Sequence, residues 1–438
     1  MSSAIENTSA SGLLSAALSR ALGERLEEPE WLAEIRARGA DVAAARPAPI
    51  PSAERPWKYY DPSDLRLDSY TPGVGATQRG TADEIRGRYG IDGEYAAVLV
   101  QQNSETVANW GENEAAVVDF RSADEKQLEV IRKHYGTVVP VDRNKFTGMH
   151  YGFQRGAVLV DVPANAEIRR PIRIVRNFEQ GGQFAAPHTL VVTGENSRVS
   201  IIEDFRSSEE DILVVPAVEL VPGPGSEIRH TTLHRWGSQT TVLSEQRTVT
   251  ERDSAIISLS LATGGKVVKS HLESSLVGRG SSSELFGLFL GDEGEHINFF
   301  TLQDHIGPDT RSDLLFKAAL KGRARAVYYG LTRVGLGAKN ADANQVNRNL
   351  LLSKTARADS DPVLEILTND VIRVSHGATA GPVDEEQLYY LQTRGIPHAE
   401  AEALLVRAFL GQVLDRIPDD ALREELTNAL EAKLEREA

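Results

Sequence analysis

The chain has 438 residues, material for about three domains at roughly 150 residues each; 41% of them are hydrophobic and 25% charged, ordinary globular values that allow a sizeable core. Lys and Arg number 48 against 63 Asp and Glu, a net charge of -15 with no Lys/Arg block, so binding to a phosphate backbone is disfavoured and the acidity reads as solubility. There is no cysteine, which excludes disulfides, thiolate nucleophiles and cysteine-based metal sites within the chain.

No apolar run approaches the roughly 18 residues that span a bilayer. The start, "MSSAIENTSASGLLSAALSRAL", lacks a charged segment followed by an apolar one, so no signal peptide is read. A soluble cytoplasmic protein is expected. Residues 1–12 are rich in Ser, Ala and Asn and read as disordered. Leu13, Leu14, Ala17, Leu18, Leu22 and Leu26 recur at helical spacing, and Trp31, Leu32 and Ile35 continue the pattern, predicting helix over 13–45. "RPAPIPSAERPW" (Arg46 to Trp57) holds four prolines and reads as an extended linker. Residues 58–148 mix short strands (Ala96 to Gln101, Ala115 to Asp119) with a helix over Ala123 to His134, so 1–148 is a helical and mixed N-terminal region.

Over 149–382 the pattern becomes β. "GAVLVDVP", "RPIRIVRNF", "HTLVVTG", "SRVSIIEDF", "DILVVPAVELV" and "AIISLSLAT" follow one another, separated by Gly, Pro, Asn and Asp turns. Turn-then-serine starts recur at Ser197, Ser226, Ser254 and Ser281, intervals of 29, 28 and 27 residues. A near-constant period of this size signals a solenoid, in which each unit buries its face against its neighbours. Two β-branched strands per unit predict a parallel β-helix or β-roll; a β-sandwich would not need a constant interval. From 383 to 438 the chain reads as helical. "DEEQLYYLQTRG" starts acidic and ends on Arg394 and Gly395. Leu404, Leu405, Ala408, Phe409, Gln412 and Leu414 recur near helical spacing until Pro418. Leu422, Leu426, Ala429, Leu430 and Leu434 form a last apolar stripe.

Few catalytic motifs survive inspection. "ATGGKVVKS" has Gly265-Lys266, but Val267 stands where a phosphate-binding loop needs a hydroxyl; "GVGATQRG" at Gly73 lacks the third glycine of a dinucleotide loop; no Gly-x-Ser-x-Gly occurs. His230 and His234, four apart on a strand, would be about 13 Å apart and cannot share a metal. His296, Asp304 and His305 could converge, although surface or core-edge histidines are the plainer reading. Glu203-Asp204 could suggest the acid/base pair of a β-helix carbohydrate-active enzyme, against the plainer reading of an exposed strand-end pair. His376 follows a β run and precedes small residues, which predicts a loop at the junction of solenoid and helical tail, a usual place for a functional side chain.

"NRNLLLSKTARADSDPVLEI" followed by "SHGATAGPVDEEQLYYLQTRGI" closely resembles the SufB/SufD family of iron–sulfur cluster assembly proteins, on the SufD side. "DHIGPDTRSDLLFKAALKGRARAVYYGLTRV" and the early "RPWKYYDPSDL" agree, and the likeness covers 150–438 well and the first third loosely. The resemblance implies a helical N-terminal region, a right-handed parallel β-helix and a C-terminal helical domain. It implies a non-ATPase subunit that pairs with a SufB-like paralogue through the β-helix. The C-terminal helices would dock SufC, an ABC-type ATPase, through Glu385, Glu386, Gln387, Leu388, Tyr390, Arg394 and Gly395. His376 would face the partner and assist assembly of a transient iron–sulfur cluster at the shared interface. Reduced flavin is associated with such complexes, although no flavin signature is found here.

Two departures from the family pattern bear on this. Val374 stands where many SufD proteins carry a cysteine, two residues before the histidine, and one extra residue separates the Leu-Glu-Ile block from the Ser-His-Gly stretch. Iron–sulfur clusters are held mostly by thiolates. This chain binds none alone, and His376 could be a metal ligand only together with partner cysteines. Two alternatives remain: a cysteine-free homodimeric scaffold of the same kind, and a β-helix carbohydrate-active enzyme, against which the missing export signal and the low share of aromatics (6%) speak.

Overall fold

The computed structural model describes residues 14–73, 77–113, 116–417 and 420–435. The readings made for residues 1–12, Leu13, Ala115 and Pro418 lie outside these. Helices α1 (Ala16–Arg25) and α2 (Glu30–Ala45) open the chain, followed by β1 (Thr71–Pro72), α3 (Ala82–Tyr89), β2 (Ala97–Gln102), β3 (Glu105–Trp110), β4 (Val117–Asp119), α4 (Glu125–His134) and α5 (Lys145–Phe153). Then come β5 (Val158–Val162), β6 (Ile172–Phe178), β7 (Gln183–Ala185), β8 (His188–Thr193), β9 (Arg198–Ser207), β10 (Leu213–Val214), β11 (Ala217–Val221), β12 (Glu227–Arg235), β13 (Thr241–Val249), β14 (Ala255–Ala262), β15 (Val267–Leu276) and β16 (Ser282–Gly291). The run continues through β17 (His296–His305), β18 (Arg311–Leu320), β19 (Arg325–Val334), β20 (Ala341–Leu351), β21 (Arg357–Ile366) and β22 (Val371–Gly381). Helices α6 (Glu385–Thr393), α7 (His398–Leu414) and α8 (Asp420–Glu435) close it.

The strands alternate between two sheets. Sheet A runs β21-β19-β17-β15-β13-β11-β8-β5-β4 and sheet B runs β22-β20-β18-β16-β14-β12-β9-β6-β2-β3. Along both paths the pairs are parallel, except β4 on β5 and β3 on β2 at the first end. The protein is therefore mainly β, a parallel β-solenoid of about eight turns with helices at both ends of the chain. Sheet B reaches back across residue 148, because β2 pairs in parallel with β6.

The serine repeat has a physical cause. At the corner that leads into each strand of sheet B from β9 to β20, and at the matching corner before it, one residue takes left-handed backbone: Asn165, Asn196, Gly225, Asp253, Gly280, Asp309 and Asn340, with φ between 54° and 74°. Gly, Asn and Asp are the residues that tolerate this conformation. The next residue in five of these turns is a buried hydroxyl, Ser197, Ser226, Ser254, Ser281 or Thr310. Ser197, Ser226 and Ser254 donate to the carbonyl three residues back, at 2.7, 2.7 and 2.9 Å. Each corner thus satisfies its own backbone while β-branched side chains such as Ile201, Ile228 and Ile256 stack inside.

Helices cover both outer faces. On sheet B, Val406, Leu410, Val413 and Leu414 of α7 and Leu422, Leu426 and Leu430 of α8 pack on Ile202, Leu233, Leu259, Phe286 and Leu288. Each such fully buried side chain contributes roughly 1.5–3 kcal/mol. On sheet A, α4 and α5 cover Leu159, Leu190 and Ala217. The α5 helix is absent from the sequence reading because its glycines look like breakers. They are notches instead: a Cβ on Gly148 would come within 2.7 Å of the Ala43 nitrogen of α2. The short α3 is likewise unanticipated. Nor is the proline-rich stretch a loose linker. Trp57 is buried and stacks on Phe146 (5.2 Å), and Lys58 pairs with Asp361 of β21 at 2.9 Å, so the stretch is a strap along sheet A.

Candidate functional site

The last turn of the solenoid has no cover. Strands β21 and β22 each have a neighbour strand on one side only, and β22 has no buried residue. Ile366, Leu367 and Ile372 are about half or more exposed, at 44%, 51% and 67%. His376 lies in the middle of β22, opposite Gln345 of β20. The loop expected around it is therefore a strand. Gly377, Ala378 and Thr379 read as a turn by composition, but parallel pairing to Val346, Asn347 and Arg348 overrides that preference.

The register also fixes where the imidazole looks. Gln345 is buried and donates to the Gly330 carbonyl at 3.1 Å, so its position faces the solenoid interior. His376 takes the same position one turn on, at the open mouth of that interior, and is exposed. Val374, two residues before it, packs against Val334 and Ala341. Ser375, on the other face, donates to Asn344 at 2.9 Å.

The residues assigned to ATPase docking share α6. Asp384 caps it, accepting from the Glu386 and Gln387 amides at 2.9 and 3.0 Å. Glu385 and Glu386 occupy the first turn, where the helix dipole favours acids. Arg394 caps the other end and lies 5.2 Å over the Tyr390 ring, and Gly395 turns the chain with φ 87°. No residue of α6 is buried; Leu388 is half-buried, and Tyr389 and Tyr390 are 69% and 55% exposed. The helix α7, by contrast, is sealed onto sheet B, where Lys317 donates to the Phe409 carbonyl and to Gln412. His376 and α6 are thus two surfaces rather than one pocket.

The other sequence candidates are interior. Glu203 and Asp204 are both fully buried, which corrects the exposed strand-end reading. Glu203 faces inward, bound by Arg176, by Thr189 (2.5 Å) and by His230 (2.9 Å). Burial works against its charge, but Arg176 and His230 outweigh this and hold its pKa at about 2. Asp204 faces outward beneath α8, held by Arg173 (2.7 Å) and Arg206 (2.6 Å), and Glu425 of α8 closes on Arg173. Both carboxylates are fully paired and present no cleft for a sugar. His230 and His234 are buried on one strand, β12, and burial lowers the His234 pKa to about 4. His305 is inside, bound to Thr310 and Ser312 at 2.8 Å each, whereas Asp304 faces out to Arg333. Those groups do not converge on a metal. Arg173 and Arg176 escaped the sequence reading; three apart in a mostly apolar strand, they leave opposite faces, Arg173 towards Asp204 and Arg176 towards Glu203.

The architecture is a long solenoid with helix-covered flanks, paired interior charges and one end whose last strands have a neighbour on one side only. Residues 175–409 match the family model described as the SufBD core domain of the SUF system for FeS cluster assembly. The chain is 32% identical over 304 residues to an iron–sulfur cluster assembly SufBD family protein of Mycobacterium tuberculosis, covering 68% of this chain and 75% of that one. It is 26% identical to the SufD protein of Bacillus subtilis (95% and 97% covered) and 27% identical to the SufB protein of that organism (90% and 87% covered). The chain belongs to the SufBD family of the SUF iron–sulfur cluster assembly system. No helix among the described residues is long and apolar enough to cross a membrane.

Proposed function

We propose that this chain is a SufD-type, non-ATPase subunit that pairs with a SufB-like paralogue through the open end of its solenoid and holds a SufC-like ABC ATPase on α6. The observation that carries the reading is the unfinished last turn. Two parallel edge strands with exposed Ile366, Leu367 and Ile372 form a template for another chain, and isolated proteins ordinarily blunt such edges. A second solenoid docked there would bring His376 to the interface. Since this chain has no cysteine, thiolates for a nascent cluster come from the partner, and His376 supplies a nitrogen ligand or a proton. ATP hydrolysis belongs to the ATPase bound on α6.

Co-expression with a SufB-like and a SufC-like protein tests this. Tyr390→Glu is expected to release the ATPase while the paralogue stays bound. His376→Ala is expected to retain both partners and lower the cluster yield. A chain that elutes as a monomer or homodimer with both partners present overturns the proposal. Point variants on α6 are preferable to deleting the helical tail, because losing α7 and α8 would uncover Phe286 and Leu288 of sheet B.

A further inference from the structure

A second concentration of ligating groups lies on the outer face of sheet A, several strands from the open end. Glu245 is on β13, and His271 and Glu273 are on the neighbouring β15. Glu245 and His271 are direct register partners, and Glu273 follows two residues on, so all three side chains leave one face. All three are buried, and their donor atoms lie within 4.8 Å of one another. His271 is 4% exposed, and neither of its ring nitrogens has an aligned hydrogen bond among the described residues, although Nδ1 is 3.3 Å from Glu245 Oε1. A buried polar group left in this state is costly and rare in folded proteins.

The spacing has a simple chemical match. Two ligands on one tetrahedral ion, at bond lengths of about 2.0–2.2 Å, are about 3.4 Å apart. Trp57 on one side (5.8 Å) and Phe300 on the other (5.1 Å) wall the imidazole off from water. The cation now among these groups is Arg143, whose guanidinium bridges Glu273 and Glu245 from the turn before α5. That side chain is 25% exposed and can swing outward, while Arg247 holds Glu273 from the other side at 3.0 Å. Lys269, two residues before His271, is directed elsewhere, to the Pro56 carbonyl and the Trp57 ring.

We propose that Glu245, His271 and Glu273 form a site for one divalent transition-metal ion, for which Arg143 is the displaceable internal competitor. One imidazole with two carboxylates suits zinc, ferrous iron or a similar ion, and the nitrogen donor selects against magnesium and calcium. Once Arg143 leaves, the two carboxylates face the ion together with Arg247, which stays on Glu273, so the ion replaces one guanidinium rather than both. The site does not depend on the assembly role or on any partner.

Metal-stripped full-length chain is titrated with Co(II), read by visible absorption, and with Zn(II), read by calorimetry. One equivalent is expected to bind, with the intense d–d bands of a four-coordinate ion, and excess Mg(II) is expected not to compete. His271→Ala is expected to weaken binding by more than about 100-fold, beyond the 10–100-fold that removal of a merely orienting neighbour costs. Arg143→Ala, in the turn before α5, is expected to tighten it by about tenfold or more, as removal of a competing cation predicts. Absence of stoichiometric binding in both the native chain and Arg143→Ala overturns the proposal, as does binding that survives His271→Ala.

Discussion

At its first turns the solenoid is closed. Strands β3 and β4 return antiparallel on β2 and β5, and α3, α4 and α5 cover the sheets with Ile85, Ile131 and Tyr151 buried beneath them. At its last turn β21 and β22 carry one neighbour each, and not one residue of either strand is buried. Both ends are turns of the same two parallel sheets, and they differ in what covers them. At the closed end the buried charges are paired inside the chain; at the open end the side chains stay exposed. Glu203 and His376 illustrate this, both directed towards the solenoid axis, the first held by Arg176 and His230, the second exposed at the mouth.

The comparison can be broken most forcefully from the closed side. Arg176→Met leaves the Glu203 carboxylate buried without its cation, and about 3–5 kcal/mol of stability is expected to be lost. Equilibrium urea unfolding measures this, and a loss below about 1 kcal/mol would mean that Glu203 relaxes to solvent. Next comes pH. Burial holds the pKa of His234 at about 4 and that of His150 at about 3. In the unfolded chain each takes up a proton near pH 6.5. Between about 6.5 and 4 the unfolded state binds more protons, so stability falls with falling pH. The slope is about 1.4 kcal/mol per pH unit for each such histidine. The Glu203 carboxylate adds stability that is present above its unfolded value of about 4.3 and is lost towards pH 2. An unfolding free energy that stays flat from pH 6.5 to 4.5 contradicts the buried neutral histidines. The smallest effect on stability belongs to the open end. Ile372→Lys is expected to change it by less than about 0.5 kcal/mol, since the side chain is 67% exposed. The same change is expected to abolish capture of the paralogue in a pull-down, and retained capture would move the interface away from β22.

Much of the fold was legible. The interval between Ser197, Ser226, Ser254 and Ser281 is visible in the sequence because each corner needs the same left-handed residue and the same hydroxyl. Legibility failed where a residue's fate depends on a strand one turn away. Glu203-Asp204 resembles an exposed pair until β6 brings Arg173 and Arg176 beside it, some 30 residues earlier in the chain. His376 resembles a loop residue until β20 pairs with it.

The sequence by itself determined the class of architecture, the helical tail and the absence of any thiolate, because these follow from period, spacing and composition, which are local properties. Tertiary structure alone decided which side of each strand is inside and therefore which charges are paired. It decided that α7 and α8 are consumed by sheet B while α6 is left free. It also placed Glu245, His271 and Glu273 on one face, because strand register is set by hydrogen bonds between turns and not by the order of residues within one.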